Sequence, residues 1–255
     1  MGNTAIKYIL KWSNEIDDIF LDDFLNVENA VFGGFSKQIF EQKIINNIYG
    51  LSLLTIAYLG EEPIGADAMI RNDFRGQICF ETIDTCVLEK CRGMGVFSTI
   101  TKKEVEEIMG VYPEAYIYGF PNANSFPGYV KMKWFVQHQL YPSFFISPFL
   151  YNRDNPEFID FEYGEWLSRS SQKFYSFKCG RKYYLIKQGK RCFQMIGRIE
   201  PAAALLFERK SCPGLIKYFI KRHSLLDNNK YQGSIITYGK PQFDIPYWKH
   251  DAFLG

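Results

Sequence analysis

The sequence predicts an α/β (α+β) chain: a mixed, mostly antiparallel twisted sheet followed by a C-terminal α+β extension. Three observations carry this. Amphipathic helical patterns precede three strand patterns joined by short turns, which reads as a meander. A strand, a glycine-containing loop, a helix and another strand come next, the order of a crossover between parallel strands. The second half then repeats meander, helix and strand without a glycine-rich loop.

From Ile16 to Val31, apolar residues Ile16, Ile19, Phe20, Phe24 and Val27 recur at threes and fours with acids between them, which predicts an amphipathic helix. Ser36 is placed to cap a second helix carrying Ile39, Phe40, Ile44, Ile45 and Ile48, closed by Gly50. Leu51 to Leu59 reads as a strand, Gly60-Glu61-Glu62-Pro63 as a turn, and Ile64 to Arg71 as the antiparallel partner. A turn near Arg75-Gly76 leads into a third strand, Gln77 to Leu88. The helix from Val96 to Met109 sets Val96, Ile100, Val105 and Ile108 on its apolar side and a charged face from Lys102 to Glu107. Tyr112-Pro113 ends it, and Ala115 to Phe120 forms a strand parallel to the one ending at Leu88.

Beyond Pro148 the texture changes, and Asn152 to Pro156 reads as a linker, which divides the chain into regions 1–147 and 148–255. The second region reads as a helix over Ile159 to Leu167 and strands over Phe174 to Phe177, Tyr183 to Lys187 and Phe193 to Ile199. Helices over Ala202 to Phe207 and Leu215 to Arg222 precede a last strand over Ser234 to Tyr238.

A chain of 255 residues, 47% hydrophobic, can bury a substantial core. Its 17% aromatic content exceeds what a small core needs, so some rings are expected at clefts or at an interface such as a homodimer's. The formal charge of +2, from 30 basic and 28 acidic residues, gives no field for sequence-independent nucleic-acid binding. The apolar runs stop short of the ~20 residues a membrane helix needs, and with no leader pattern a cytoplasmic location is expected. Six cysteines without a CxxC pair and three separated histidines argue against a metal site.

Chemistry enters at CRGMGVF, Cys91 to Phe97, between a predicted strand and a predicted helix. Gly93 and Gly95 permit positive φ and close approach of a ligand, and the first helical turn presents unpaired N–H groups with partial positive charge. Arg92 adds a cation with bidentate reach, so a diphosphate is a natural guest. A strand-to-helix turn can also carry two glycines for geometry alone. The second unusual stretch is GFPNANSFPGYVKMKW, Gly119 to Trp134, in which loop residues run straight into a short helical pattern.

Together these segments resemble the GCN5-related N-acetyltransferase (GNAT) superfamily. VLEKCRGMGVF is similar to its acyl-CoA loop, and Asn122, Ser125, Tyr129, Lys133 and Trp134 fall at the spacing of its downstream pattern. Lys133 stands where that pattern has Gly. The resemblance covers roughly residues 15 to 145 and leaves the second region as a C-terminal extension or a degenerate second GNAT-like half. It implies an acyl-CoA N-acyltransferase sheet, in which the strand ends part to admit pantetheine, and acetyl-CoA or another acyl-CoA as co-substrate without a metal.

The site residues follow from the same resemblance. Backbone groups at Cys86, Val87 and Leu88 would pair with pantetheine like an added strand, and Arg92, Gly93, Met94, Gly95, Val96 and Phe97 would hold the diphosphate. Asn122 and Ser125 would bond pantetheine or diphosphate oxygens, and Lys131 and Lys133 either attract the adenosine 3′-phosphate or are simply solvated. Tyr129 would be the general acid toward sulfur, although a tyrosine on a short helix also packs as a ring. Glu81 is the first candidate for the base, with Asp84, Asp67 and an ordered water as alternatives; strand parity puts Glu81 with Ile83, Thr85 and Val87, opposite Asp84.

The glycine-proline form GFPNANS is similar to a bacterial branch associated with cell-surface polysaccharide or amino-sugar pathways, which favours a small-molecule amine acceptor such as an amino sugar. Phe144, Phe145, Phe149 and Tyr151 would stack on a sugar or base, or be buried. Two rival classes stay open: an acyl-CoA-binding protein without chemistry, and an aminoacyl-tRNA-dependent transferase with two related halves.

Overall fold

A computed structural model describes residues 5–33, 37–74, 76–145, 158–170, 172–189, 191–211, 216–222 and 233–239. Ser36, Arg75, Phe149, Tyr151 and the Asn152 to Pro156 linker lie outside them, as do the side chains of Phe144 and Phe145. The chain packs as two compact units, one running to Gln137 and resuming at Ser234, the other running from His138 to Gly233. No helix among the described residues is long and apolar enough to cross a membrane.

The first unit opens with β1 (Ile6–Trp12), a strand the helix-and-meander reading passes over. Helix α1 (Asp18–Val31) follows, capped by Asp17, whose Oδ1 accepts the Phe20 amide at 2.8 Å. A short α2 (Lys37–Phe40) runs into a π-helical turn over Glu41–Ile45. The meander is β2 (Leu53–Leu59), β3 (Glu62–Arg71) and β4 (Cys79–Val87), each antiparallel to the last, with β1 on the outer edge of β2. Helix α3 (Val96–Val111) crosses over to β5 (Tyr116–Gly119), parallel to β4. Helix α4 (Phe126–Lys131) then leads to β6 (Phe135–Phe145), and the strand pairing antiparallel with β5 arrives from far along the chain as β13 (Gly233–Thr237). Phe80, Val105, Ile108, Ile117, Tyr129 and Trp134 form the core cluster on the α3 and α4 side.

In the second unit β7 (Phe158–Ile159) and α5 (Phe161–Ser168) precede a meander of β8 (Phe174–Cys179), β9 (Lys182–Gln188) and β10 (Phe193–Ile199). Helix α6 (Pro201–Ala204) has four residues, β11 (Glu208–Arg209) has two, and β12 (Ile216–Arg222) completes the unit. The expected helix over Leu215 to Arg222 is this strand, antiparallel to Gln139–Phe145 of β6 and parallel to β10 at Phe193 and Gln194. Its β-branched and aromatic content, IKYFIKR, favours extended backbone over helix once partner strands are present. Strand β10 bulges between Met195 and Gly197, and beyond the bulge β7 takes the same edge at Arg198 and Ile199.

The turn after α4 departs from expectation in residue type and keeps its geometry. Trp134 donates its amide to the Tyr129 carbonyl at 3.1 Å and Lys133 donates to Val130 at 3.0 Å, the paired closure of a Schellman motif. Such a motif needs a left-handed residue, usually Gly, and Lys133 occupies it at φ 63°. Lys133→Gly is therefore expected to raise stability by about 0.5–1 kcal/mol, the steric relief exceeding the added unfolded-state entropy, as read by urea denaturation.

Candidate active site

Strands β4 and β5 pair from Cys79 with Tyr116 to Thr82 with Gly119, and there the ladder stops. Two local features end it. Gly119 has no side chain because a Cβ there would stand 2.5 Å from Thr82 Cγ2, and Pro121, two residues on, has no N–H to donate. Strand β4 continues to Val87 while β5 turns away, leaving a fork.

The loop at Cys91 to Phe97 sits just beyond the end of β4. Gly93 and Gly95 take φ of 86° and 78°, and a Cβ on either would meet nothing within 4 Å, so open space stands before them. The first α3 backbone bond runs from Thr99 to the Gly95 carbonyl at 3.1 Å, so the Val96, Phe97 and Ser98 amides lack intrahelical partners. Arg92 is exposed and makes no ion pair among the described residues. This is a cradle that fits a diphosphate. Beside it, a groove of about 560 Å³ between α3 and α4 is lined by Ser98, Thr99, Lys102, Met132, Trp134 and Tyr238.

Tyr129 closes the fork from the α4 side. Gly128 lets α4 press onto Phe97, and the Tyr129 ring is held edge-on between Phe97 and Trp134 at 5.0 and 4.9 Å. Its hydroxyl lies 2.9 Å from Thr82 Oγ1 and 3.3 Å from Thr85 Oγ1, and the residue is 2% exposed. Thr85 donates to Asp67 Oδ1 at 2.8 Å, which also accepts the Ala68 amide at 2.9 Å. Asp67 and Glu104 are fully buried. Burial pushes the Asp67 carboxyl up to about 7 against the hydrogen bonds it receives. Burial, then the adjacent Asp67 charge, holds Glu104 well above the ordinary carboxylate range. Neither Glu104 oxygen closes a hydrogen bond of good geometry, yet its carboxyl is near enough to Asp67 and Thr55 to feel both.

Glu81 is 1% exposed and accepts from Asn72 Nδ2 at 3.0 Å. The parity expected for its strand is overturned beyond Ile83. Ala66 pairs with Cys86 and Ala68 with Ile83, so β4 carries an extra residue, with Asp84 at φ 56° in the bulge. Thr85 and Val87 therefore join Thr82 on the α3 and α4 face, while Cys86 points to α1, where its Sγ meets Glu28 Oε1 at 3.3 Å. Burial, then the Asp84 charge, pushes buried Glu28 up to about 9.

The remaining expected site residues are placed as follows. Leu88 is occupied at both backbone groups, donating to Ile64 and accepting from Cys91 at 2.9 Å each. Among the described residues Cys86 and Val87 pair only with β3, their other side lying beyond the last β4–β5 rung. Asn122 Oδ1 accepts from the Asn124 and Ser125 amides at 2.9 and 3.1 Å and faces Ser125 Oγ at 3.4 Å, so it caps the turn. Met94 and Lys131 are exposed. Among the described residues no group of three or more His, Cys, Asp or Glu could hold a metal ion.

No protein-family model matches the sequence, and no curated protein matches it. Solved structures match over most of its length. A GCN5-related N-acetyltransferase from Kribbella flavida aligns over 91% of this chain and 71% of its own, with 10% identity and a TM-score of 0.52. A conserved protein from Enterococcus faecalis V583, described as a probable N-acyltransferase, aligns over 91% and 72%, with 8% identity and a TM-score of 0.53. The chain has a GNAT fold.

Within the GNAT fold, the buried acids are what the sequence reading missed. Glu104 lies within the charged run from Lys102 to Glu107, yet it stands four residues from Ile100 and from Ile108, inside the buried stripe. Glu28 stands four from Phe24 in the same way. An acid raised by folding stabilises the native state below its ordinary pKa and loses that stabilisation as pH rises through the raised value. Stability is thus expected to fall from about pH 4 to 7 through Asp67 and on to about pH 9 through Glu28. In denaturation measured against pH, Asp67→Asn should shallow the slope only below about pH 7, and Glu28→Gln should shallow it from about pH 4.5 to 9.

Proposed function

We propose that this chain is an acyl-CoA-dependent N-acyltransferase that moves acetyl from acetyl-CoA to a primary amine by direct attack. The fork carries the proposal: β4–β5 pairing ends at Thr82 and Gly119 with the Tyr129 hydroxyl 2.9 Å from Thr82, beside a turn in which the Arg92 and Met94 amides are tied to Glu89 and Cys91 at 3.2 and 3.4 Å while those of Val96, Phe97 and Ser98 lack intrahelical partners. Pantetheine entering there would pair with the free side of Cys86 and Val87, its diphosphate against Arg92 to Phe97. Lys102 in the α3–α4 groove, with Lys131 exposed on α4, would offer charge to the adenosine 3′-phosphate.

The second unit supports this reading. It repeats the plan of a meander, a bulged third strand and a parallel partner that pairs only at the strand's start. Where the first unit leaves the edge of β4 open, β7 covers that of β10, and α6 follows Glu200 without a glycine turn. The second unit is then a degenerate GNAT-like half that binds no acyl-CoA of its own.

Acid and base stand on opposite faces of the sheet. Phe80 and Thr82 face α3 and α4, so strand alternation sends Glu81 to the α1 face. The amine, deprotonated toward Glu81, attacks the thioester carbonyl from one side, and the sulfur leaves toward Tyr129 on the other. The acceptor favoured by the GFPNANS stretch is an amino sugar or nucleotide-linked amino sugar.

Calorimetry with acetyl-CoA should find one site per chain, with Arg92→Ala weakening it about tenfold. Tyr129→Phe should lower turnover about a hundredfold with little change in that affinity. Near-normal turnover by Tyr129→Phe removes the acid assignment, and absence of transfer across a panel of amines removes the enzyme.

A further inference from the structure

We infer that Thr82 is a positioning residue for acyl transfer, its hydroxyl stabilising the Tyr129 phenolate formed when the tyrosine protonates the departing thiolate. The inference rests on the acyltransferase reading above and assigns to that site a group outside its acid and base. It follows from counting protons among three hydroxyls. Thr85 has one, and its 2.8 Å contact to Asp67 Oδ1 uses it, so toward Tyr129 Thr85 can only accept. Thr82 lies 3.4 and 3.5 Å from the Asp67 oxygens, 3.4 Å from Thr85 and 2.9 Å from Tyr129, so its best partner is the phenol oxygen. A chain in which Tyr129 donates to Thr82 and Thr82 to Asp67 would use the long 3.4–3.5 Å contacts, so the arrangement that gives Thr82 its shortest contact runs from Thr82 to Tyr129, from Tyr129 to Thr85 and from Thr85 to Asp67.

The tyrosine's own proton then sits in the longer bond of its pair, 3.3 Å to Thr85, while its oxygen is held by the shorter one. In the transfer step the C–S bond breaks with its electron pair on sulfur. The Tyr129 O–H bond breaks as S–H forms, and the phenolate keeps the Thr82 hydrogen bond, which strengthens as charge develops. The nitrogen, which attacks as a neutral amine after its ammonium proton has left toward Glu81 and solvent, sheds one proton on becoming the amide, and that proton restores Tyr129. The carboxyls facing Tyr129 are Asp67 from β3 and Glu104 from α3, and burial beside Asp67 raises Glu104 well above the ordinary carboxylate range.

The test compares wild type, Thr82→Val, Thr82→Ser, Tyr129→Phe and the Thr82→Val/Tyr129→Phe double variant in acetyl-CoA turnover with an amine that wild type accepts. Thr82→Val is expected to lower kcat about ten- to a hundredfold, with the calorimetric Kd for acetyl-CoA changing less than about twofold. Thr82→Ser, which keeps the hydroxyl, should recover most of the loss. In the Tyr129→Phe background Thr82→Val should add almost nothing, because the phenol it serves is gone. Urea denaturation of the same proteins separates this from loss of folding. Wild-type transfer with an undiminished Thr82→Val loss in the Tyr129→Phe background overturns this inference alone. Acetyl-CoA binding without transfer by wild type overturns the acyltransferase reading and this inference with it.

Discussion

A sheet opened along the middle of a strand exposes backbone groups that must find another partner, and both units are shaped by that constraint. In the first, a glycine that admits Thr82 and a proline two residues later end β5, while the bulge at Asp84 carries β4 onward. In the second, the edge beyond the β10 bulge is met by β7, a segment of the same unit. One strand plan thus has two solutions, internal closure and an open edge. The open edge is the one beside positive-φ glycines and a sixteen-residue helix whose first amides are unpaired.

The acids around that edge are hard to explain by packing alone. Asp67 and Glu104 are fully buried, and Glu28 is 1% exposed. Burial of an ionised carboxylate costs several kcal/mol, and a leucine in the same helical stripe would cost none of it. Glu104 answers by keeping its proton, and Asp67 by spreading its charge over the Thr85 hydroxyl and the Ala68 amide. The cost falls beside Tyr129, where the direction of a few hydrogen bonds decides which proton is free to move. That coincidence gives buried acids a use at this position that they would lack elsewhere in the sheet.

Much of the first unit was legible because its strands alternate, its turns carry Gly and Pro, and its main helices have clear apolar stripes. The glycine turn and the Tyr129 spacing were legible for the same local reasons. Three things were not. Strand β12 reads as helix until its neighbours are known, since four apolar residues among seven fit either period. The bulge at Asp84 inverts strand parity for Thr85 and Val87, and no local composition marks it. Glu104 has helical spacing that places it inside, but residue type places it outside, and only the tertiary partner decides.

Lys133 shows how closely local geometry and chemistry are joined here. Its left-handed backbone completes the turn that carries the Trp134 amide back to the Tyr129 carbonyl, and the two rings lie 4.9 Å apart. The strain in that one residue holds the end of a six-residue helix too short to be stable by itself. Since α4 is what presents the phenol to Thr82, a Lys in place of Gly does not loosen the site. The turn is fixed by two backbone hydrogen bonds and a ring contact, which together outweigh the unfavourable φ of the residue between them.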